Sequence, residues 1–576
     1  MYCSSNTETS FDVKIHSLLE KNFNALERVT ETELLKAAKS GNVKIILRAF
    51  EKTRHSYKKV ELFTEYYAPS TSRLLNGPPL PEIEVEETKS FNPGGLQVIE
   101  EQLYPFAESN RPELIREIEG FLSKVKHARS IIKEIKFTEA HVLDACKLQV
   151  FRIISLGITG FDTPLSNKSI PEVKSALIGI QDAVSTINPS SKINSIIKKA
   201  ELYLDANTDF NKFNRMEFIQ QYANPLSKEI KLFEKEQKIQ PLETELALYN
   251  KAETLFDATI FNRDFFAESV ESAYTKEKVM LGKQLFSDPI LSGTSRTCLS
   301  CHNPAMAFTD GLPKSSALIP GTFLKRNSPT LLYAGLQQAQ FYDMRSPSLE
   351  NQAMDVIANK DEMHASVEEA ALRINKSSRY LSSFKKAFPT MEKEIKPRFV
   401  LIALASFIRS LDPFNSRFDQ YMRGDKKQMT AQEINGFNLF MGKGKCGTCH
   451  FAPIFNGTAP PFFTSSESEV LGLTEKSESK ALDPDMGRYV HTKIDELKFS
   501  FKTPTLRNVE ITGPYMHNGA FQTLGQVIDF YNEGGGAGMG LSVPNQTLAA
   551  EPLNLSKKEK EAIIAFLQTL TDEDHK

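Results

Sequence analysis

The sequence predicts an all-α protein in which an N-terminal helical bundle is followed by two tandem domains that repeat one helical layout. Three observations support this fold class. Apolar residues recur at three- and four-residue spacing through residues 1–250, which is the period of an amphipathic helix. Two C-x-x-C-H motifs follow, at Cys298–His302 and Cys446–His450. Each motif lies between a helix that contains Gly-x-x-x-Phe and an apolar helix farther along the chain.

Residues 1–250 carry the helical signals of a bundle. Gly41 and Asn42 mark a break between two of the predicted helices. Pro112 is expected to open a helix, and Thr138 is expected to cap the next one. No His, Cys or acidic cluster in this region has the spacing of a metal or catalytic site. The sequence therefore leaves the function of this region open.

The composition excludes some classes of function. A chain of 576 residues with 40% hydrophobic residues can bury sizeable cores, and its net charge of −2 indicates no nucleic-acid partner. No run of about 18 apolar residues predicts a membrane-spanning helix. No secretory signal is visible, and Cys3 is either the lipid-bearing cysteine of a bacterial lipoprotein or an ordinary free cysteine. Cys146, in an apolar helical stretch, is predicted to be a core residue.

Four of the six cysteines belong to the two C-x-x-C-H motifs. In such a motif the two thiols can add to the vinyl groups of a haem, and the adjoining imidazole then ligates the iron. The motifs therefore predict two covalently bound haems of the c type, and with them a periplasmic location. The residues that hold the haems are Cys298, Cys301, His302, Cys446, Cys449 and His450. A pair of zinc knuckles or redox dithiols is the alternative, but it does not explain a His directly after each second Cys.

The region after residue 250 contains an internal repeat. Its parts are Gly282-x-x-x-Phe286 before the first motif, Gly436-x-x-x-Phe440 before the second, and apolar helices over Phe399–Leu411 and Lys558–Leu570. Helix, C-x-x-C-H, long ligand loop and helix is the layout of the class I cytochrome c fold. The sequence therefore predicts two domains of this type in tandem, over residues 255–415 and 416–576.

Residues 275–576 resemble the bacterial family of di-haem cytochrome c peroxidases and MauG. The phrases that carry the resemblance are Leu281–Phe286, Arg326–Thr330, Phe341–Arg345, Thr503–Val509 and Thr512–Gly519. In that family one haem handles peroxide and the other passes electrons. The resemblance therefore implies an oxidoreductase that acts on hydrogen peroxide, whereas residues 1–250 lie outside the basic unit of the family.

The resemblance makes the first haem, with His302 as proximal ligand, the peroxidatic one. Some relatives close its other face with a His from the loop after the motif. No His occurs here between His302 and His364, and Leu318 stands about where that ligand would fall. Met306 follows the motif closely and is expected to pack rather than to ligate. We therefore expect an open face on the first haem.

Cleavage of a peroxide bond needs a base for one oxygen and an acid for the other, and one carboxylate can serve as both. Glu362 matches the distal glutamate of the family, and Gln352 matches a distal amide that can hold bound peroxide. The resemblance therefore implies catalytic roles for both residues. The alternative for Glu362 is a solvated loop residue like its neighbours Lys360 and Asp361.

The resemblance places the far-side ligand of the second haem, whose proximal ligand is His450, at Tyr531. Electron-transfer relatives carry Met at this position, and tyrosine is the mark of the MauG branch. A phenolate is an anionic donor, which stabilises ferric and higher states and lowers the potential. The alternative is a packed tyrosine, with Met516 or His517 as the ligand.

Two further roles follow from the resemblance. Tyr342 stands where many relatives place a Trp between the haems, and this chain contains no Trp. A tyrosine can relay an oxidising equivalent but loses a proton on oxidation, so the coupling is expected to differ from that of the relatives. A calcium site is also implied, formed by the side chain of Asn327 and the backbone carbonyls of Thr512 and Pro514, because oxygen ligands suit Ca²⁺.

The sequence favours a peroxide-using di-haem enzyme of the MauG-like branch, which draws electrons through or from its second haem. A di-haem electron-transfer cytochrome without peroxidase chemistry is one alternative. A peroxide-driven oxidase that modifies a partner protein is another. The sequence identifies neither the electron donor nor the oxidisable substrate, and it leaves a homodimer open because relatives often pair.

Overall fold

The computed structural model describes residues 10–84, 89–242 and 246–575. It is mostly helical, which confirms the predicted helical character. None of the helices in these ranges combines the length and apolarity needed to span a bilayer. Cys3 lies outside the described residues, so its two interpretations stay predictions.

The chain forms two compact units. The N-terminal unit contains the described residues from 10 to 242 together with Asn250–Leu255 and Met441–Thr448. The second unit contains residues 246–249, Phe256–Phe440 and the described chain from Cys449 onward. Most of both predicted cytochrome-like domains lies in the second unit, and the boundary between them stays a prediction.

The N-terminal unit is built of α-helices joined by turns and loops. They are α1 (Phe11–Val29), α2 (Lys36–Ser40), α3 (Val43–Lys58), α4 (Glu61–Tyr67), α5 (Pro69–Asn76), α6 (Leu96–Leu103), α7 (Arg111–Lys133), α8 (Glu139–Ser155), α9 (Ser169–Ile187), α10 (Ser191–Ala206), α11 (Arg215–Phe218) and α12 (Asn224–Glu236). π-Helical turns over Thr30–Leu35 and Ile219–Ala223 continue α1 and α11. The sequence pattern does not predict the small antiparallel sheet of β1 (Glu82–Glu84) and β2 (Lys89–Phe91).

Helix limits in this unit follow the capping signals of the sequence. The side chain of Asn42 accepts a hydrogen bond from the amide of Ile45 (3.2 Å) at the start of α3. Thr138 caps α8 in the same way, because its hydroxyl accepts from the amide of His141 (3.3 Å). Cys146 on α8 is fully buried, as predicted.

A buried ionic cluster lies among the helices of the N-terminal unit and has no counterpart in the sequence predictions. Arg54 donates to a carboxylate oxygen of Glu172 (3.0 Å). Arg152 makes two hydrogen bonds to Asp162 (both 2.9 Å), and Lys58 makes a third (2.6 Å). All five side chains are buried, so each charge depends on its partners. Removal of one partner from such a pair typically costs about 3–5 kcal/mol of stability.

The second unit contains the remaining helices and one more small sheet. The helices are α13 (Lys276–Phe286), α14 (Leu349–Ala358), α15 (Val367–Asn375), α16 (Ser378–Ala387), α17 (Pro397–Arg409), α18 (Arg417–Met422), α19 (Ala431–Phe440), α20 (Tyr489–Thr492), α21 (Leu524–Asn532), α22 (Gly535–Gly538) and α23 (Lys557–Gln568). β3 (Ser468–Val470) pairs with β4 (Ser500–Lys502) in antiparallel orientation, with Glu469 opposite Phe501.

Two helix pairs in this unit cross in the same way, at the glycines of the sequence repeat. A Cβ atom added to Gly282 on α13 would lie 1.9 Å from the carbonyl oxygen of Ala403 on α17. A Cβ atom added to Gly436 on α19 would lie 1.9 Å from the carbonyl oxygen of Ala562 on α23. Glycine is therefore required at both crossings, because no side chain fits between the two backbones.

Three phenylalanine rings pack at each crossing. They are Phe286, Phe308 and Phe407 in the first repeat, and Phe440, Phe455 and Phe566 in the second. Neighbouring ring centroids lie 5.2–6.2 Å apart, the range in which aromatic pairs attract each other. The Gly-x-x-x-Phe repeat of the sequence thus extends to two further phenylalanine rings in each half.

Candidate functional site

The first C-x-x-C-H motif begins as a 3₁₀ turn over Cys298–Ser300. The ring of His302 follows directly, and its Nδ1 lies 2.9 Å from the carbonyl oxygen of Phe308. The hydroxyl of Ser328 lies 3.4 Å from the same nitrogen. When Nδ1 carries the proton and donates it to the Phe308 carbonyl, Nε2 is left as the metal-binding atom.

The second motif has the same local geometry. It begins as a 3₁₀ turn over Cys446–Thr448. Nδ1 of His450 lies 3.1 Å from the carbonyl oxygen of Pro504 and 3.3 Å from that of Phe455. Both histidines are therefore oriented by backbone carbonyls through one ring nitrogen, as proximal haem ligands are.

The electrostatics of the two motifs fit a haem of the c type. Burial lowers the pKa of His302 and lowers that of His450 to about 4, so both imidazoles are neutral, as iron ligation requires. Burial raises the pKa of Cys298 and of Cys446 to about 12, so both are thiols in the protein without a bound group. Within residues 10–84, 89–242 and 246–575, no group of three or more His, Cys, Asp or Glu residues could hold a metal ion.

Glu362 lies in the turn after α14, beside the loop that contains Leu318. The amide of Leu318 donates to the carbonyl of Asp361 (2.7 Å). The side-chain amide of Asn359 donates to Oε1 of Glu362 (2.6 Å) and so fixes the carboxyl group. Burial raises the pKa of the Cys301 thiol, and the charges of Asp310 and Glu362 add to the rise. The charge of Glu362 therefore acts on a cysteine of the first motif.

The acidity of Glu362 reflects this environment. Burial raises its pKa above the usual value for a glutamate. The hydrogen bond from Asn359 and the guanidinium groups of Arg345 and Arg296 oppose that rise. Glu362 is partly buried, whereas its neighbour Asp361 is exposed. A partly buried carboxyl whose pKa is shifted upward is a better proton acceptor than an exposed glutamate.

Not every residue assigned to the first haem is hydrogen-bonded to the others. Gln352 is partly buried in the first half of α14, and among the described residues its side chain makes no hydrogen bond to Glu362. Met306 packs against Gly311, where a Cβ atom would lie 2.3 Å from the Met306 methyl carbon. The contact agrees with a packing role for Met306.

Tyr531 lies on α21 and is partly buried. Its ring contacts Phe530 at a centroid distance of 5.8 Å, and Met516 packs in the same apolar cluster. His517 is buried elsewhere, with its ring stacked on Phe501 at a centroid distance of 3.7 Å. Of the two alternative ligands, Met516 therefore shares the surroundings of Tyr531 and His517 packs against β4.

Tyr342 connects the two halves of the second unit. Its hydroxyl donates to Oδ1 of Asn327 (3.4 Å), and its carbonyl accepts from the amide of Lys502 on β4 (2.7 Å). Burial raises the pKa of Tyr342. The side-chain amide of Asn327 donates to the carbonyl of Leu312 (2.7 Å), which turns Oδ1 toward the tyrosine. The weak, long bond between the two side chains leaves this oxygen able to bind a cation.

The three predicted calcium ligands lie in neighbouring segments. The amide of Asn327 donates to the carbonyl of His517 (2.8 Å), which holds the loop of Thr512 and Pro514 beside it. In the described part of the chain, no backbone amide donates to the carbonyl oxygen of Thr512 or Pro514. These oxygen atoms, together with Oδ1 of Asn327, fit the oxygen-rich coordination that Ca²⁺ prefers.

One carboxyl near the second motif is missing from the sequence predictions. Glu469 lies in the middle of β3. Burial raises the pKa of Glu469 to about 7, the side chains of Thr547 and Cys449 oppose the rise, and the neighbouring charge of Glu467 adds to it. No local signal could have identified Glu469, because its position depends on the pairing of β3 with β4.

A second missed group surrounds Tyr342. Arg326 makes two hydrogen bonds to Asp485 (2.6 and 2.9 Å) and an ion pair with Asp343 (2.7 Å). Asp343 also pairs with Arg345 (2.9 Å). Arg326, Asp343 and Arg345 lie in phrases that carry the family resemblance, but only the fold brings Asp485 to Arg326.

Comparison with known proteins gives consistent results. A family model described as di-haem cytochrome c peroxidase matches residues 276–427. The methylamine utilization protein MauG of Methylorubrum extorquens is 34% identical over 302 residues, which cover 52% of this chain and 79% of that protein. The cytochrome c551 peroxidase of Nitrosomonas europaea is 35% identical over 296 residues, which cover 50% of this chain and 79% of that protein. A crystal structure of a MauG-like protein associated with microbial copper homeostasis aligns with a TM-score of 0.46 at 30% identity, covering 53% of this chain and 92% of the other.

Proposed function

Because the chain belongs to the di-haem cytochrome c peroxidase family, which also includes MauG, we propose that it reduces hydrogen peroxide at the first haem and draws electrons through or from the second. It is an oxidoreductase that uses peroxide. The observation that carries the proposal is the partly buried carboxyl of Glu362, which Asn359 holds by a hydrogen bond and whose charge acts on Cys301 of the first motif.

Haem c, attached at Cys298 and Cys301 with His302 as its ligand, would supply the iron at which the oxygen–oxygen bond of peroxide is cleaved. Glu362 performs the proton transfers. Its Oε2 accepts a proton from one peroxide oxygen and returns it to the leaving oxygen. Because the amide of Asn359 occupies Oε1, the carboxyl keeps one orientation during both transfers.

In the proposal, Leu318 and Gln352 complete the peroxide site together with Glu362. Leu318 offers no ligand atom, so the face of the haem opposite His302 stays open to peroxide without reductive activation. Gln352 holds the bound peroxide through its side-chain amide. The bond from the Leu318 amide to the Asp361 carbonyl supports this arrangement, because it keeps the loop beside the catalytic turn.

The second haem has a different role in the proposal. His450 and the phenolate of Tyr531 would hold it, and the anionic oxygen would lower its potential. Tyr342 relays oxidising equivalents between the haems, and Asn327 holds a calcium ion with the carbonyls of Thr512 and Pro514. The apolar surroundings of Tyr531 and the contacts of Tyr342 with both halves of the unit support these assignments.

The location and the physiological partner belong to the same proposal. Thioether attachment of haem takes place outside the cytoplasm in bacteria, so we place the protein in the periplasm. Hydrogen peroxide is the oxidant. The electrons come from a donor protein or from an oxidisable partner, and the second of these sources would make the enzyme a peroxide-driven oxidase of MauG type.

The test is rapid mixing of the purified di-haem protein with hydrogen peroxide, followed by the Soret absorbance. We expect Glu362→Gln to slow the absorbance change by about 10²–10⁴-fold, because the variant loses its proton-transfer group. Asp361→Asn is the matched control, since this neighbour is exposed and acts on Glu362 only through its charge, which raises the pKa of Glu362. The variant keeps the proton-transfer group and should react close to the wild-type rate at a pH where Glu362 is ionised.

An unchanged rate in Glu362→Gln would remove this residue from the mechanism. A wild-type spectrum that does not respond to peroxide would contradict the peroxidase function as a whole. It would favour the alternative of an electron-transfer protein with two haems.

A further inference from the structure

The first thioether cysteine of the second haem motif lies in a segment that packs with the N-terminal helices. Met441–Thr448 contains Cys446 and belongs to the N-terminal unit. The family model matches residues 276–427, which excludes these helices, so their role is unassigned. The contacts of these helices with Met441–Thr448 indicate how they support the second haem.

The central contact of this segment is Arg215, at the start of α11. Its side chain is fully buried, with a relative exposure of 0%. The guanidinium donates to the backbone carbonyls of Ile158 (2.8 Å), Phe210 (2.8 Å) and Phe213 (3.1 Å). It also lies 4.5 Å from the centre of the Phe210 ring, which is within cation–π range.

Arg215 differs from the other buried arginines of the N-terminal unit. Arg54 and Arg152 are both paired with carboxylates, whereas the partners of the Arg215 guanidinium are carbonyls and aromatic rings. Burial lowers the pKa of Arg215, and no carboxylate offsets this effect. Burial of a cation without a paired anion reduces the stability of the fold by on the order of several kcal/mol. The three carbonyl bonds and the aromatic contact offset part of this cost.

Gly442 lies directly against the guanidinium group. A Cβ atom added to Gly442 would be 2.4 Å from Nη1 of Arg215 and 2.5 Å from its Cζ. The backbone of the segment therefore rests on the flat face of the arginine, at a distance that only glycine allows. The three carbonyl bonds keep the guanidinium plane fixed, so it offers a rigid support four residues before Cys446.

Two more contacts hold the segment up to the cysteine itself. The ammonium group of Lys445 donates to the carbonyl of Pro164 (3.1 Å). The amide of Lys445 donates to the carbonyl of Gly442 (2.8 Å), which closes a tight turn. On the other side of Cys446, a Cβ atom at Gly447 would lie 3.4 Å from the methyl group of Thr159. Residues on both sides of the cysteine are thus fixed by the helical unit.

We propose that Arg215 is a positioning residue for the second haem, through which the N-terminal helices hold the Cys446 attachment segment. The effect of Arg215 passes along the polypeptide chain from Gly442 to His450. Cys446 would hold one thioether of the haem, and the motif continues to His450, the proximal ligand. A shift of the segment on loss of Arg215 changes the geometry at this ligand and leaves the first haem untouched. The proposal rests on the proposed function only in assigning a haem to the second motif.

The test uses the full chain with both haems attached. Arg215→Met keeps the length of the side chain but removes every donor, and Arg215→Lys restores the charge and part of the hydrogen bonding. Arg54→Met is the matched control, because it removes a buried arginine of the same unit that makes no contact with Met441–Thr448. Redox titrations followed in the visible spectrum give the midpoint potential of each haem. A Cys446→Ala, Cys449→Ala double variant, which lacks the second attachment, identifies which signal belongs to which haem.

We expect Arg215→Met to shift the midpoint potential of the second haem alone, and Arg215→Lys to bring it back toward the wild-type value. Arg54→Met should lower the unfolding temperature and leave both potentials unchanged. If Arg215→Met does not fold, Gly442→Ala tests the same contact, because it pushes the segment off an intact arginine and should also shift the second potential alone.

Equal shifts of both potentials, no shift in either variant, or a shift of the second potential in Arg54→Met would overturn the proposal. These outcomes are independent of peroxide reactivity, which tests the proposed function. If the double variant still carries two haems, the assignment of the second haem fails instead, and with it the premise of the proposal.

Discussion

The two halves of the second unit use the same frame for attachment and different groups around it. In both halves a glycine lets two helices cross, and Nδ1 of the motif histidine lies within 3.3 Å of a phenylalanine carbonyl. The carboxyls nearest the two motifs differ. Burial raises the pKa of both carboxyls. The guanidinium groups of Arg345 and Arg296 oppose the rise at Glu362, whereas at Glu469 the neighbouring charge that acts is the carboxylate of Glu467, which adds to the rise. The two halves thus share the helix crossing and the orientation of the motif histidine, and they differ in the charged groups around the nearest carboxyl.

The second histidine also has a different hydrogen-bonding environment. His450 lies within 3.3 Å of two backbone carbonyls, those of Phe455 and Pro504. His302 lies near one carbonyl and near the hydroxyl of Ser328, which itself donates to the carbonyl of Cys301 (3.0 Å). Because the groups around a ligating imidazole tune its basicity, the two haems are expected to differ in potential even before their far-side ligands are considered.

The largest effects are expected where the two halves are alike. Gly282→Ala and Gly436→Ala each place a Cβ atom 1.9 Å from a carbonyl oxygen, so the helices must separate. We expect each variant to lose roughly 1–3 kcal/mol of stability, the usual cost of overpacking. Unfolding followed by circular dichroism measures the loss. Gly120→Ala on α7 is the control, because nothing lies within 4 Å of the added methyl group, and it should be neutral or slightly stabilising.

Similar losses in the two variants would support a shared frame. A loss in Gly282→Ala with none in Gly436→Ala, or the reverse, would show that the two crossings are not equivalent.

A smaller effect is expected at the carboxyl that distinguishes the first half. Asn359→Ala removes the hydrogen bond that favours the ionised form of Glu362, so the pKa of this carboxyl rises further. Glu362 must be ionised to accept a proton, so the acid limb of the peroxide reaction should move to higher pH. The rate well above that limb should stay close to wild type. Rapid-mixing rates from pH 4 to about pH 9 measure the shift. If the acid limb of Asn359→Ala lies at the same pH as that of the wild type, Asn359 has no influence on the catalytic carboxyl.

The smallest effect is expected at Ser328. Its hydroxyl lies 3.4 Å from Nδ1 of His302, a long contact that adds little to the bond with Phe308. Ser328→Ala should therefore raise the potential of the first haem slightly, because the imidazole becomes a weaker donor to ferric iron. The second haem is the internal control and should not change. A shift of the second haem would contradict the assignment of Ser328 to the first site.

The parts of this architecture that depend on short sequence separation could be predicted. The C-x-x-C-H motifs, the capping by Thr138 and the glycines at 282 and 436 each have a local signal. The parts that depend on distant segments could not. The ionic cluster around Asp162 gathers charges from three helices, and Arg326 finds Asp485 across 159 residues. The role of Arg215 was hidden for the same reason, because its partner glycine belongs to a segment that is far away in the chain.

The electron paramagnetic resonance spectrum of the resting ferric protein tests the central claim most directly. An open face on the first haem predicts one high-spin signal, and ligation of the second haem by His450 and Tyr531 predicts a separate low-spin signal. Tyr531→Phe should change only the low-spin signal. Two low-spin signals in the wild type, or a Tyr531→Phe spectrum identical to that of the wild type, would contradict the account.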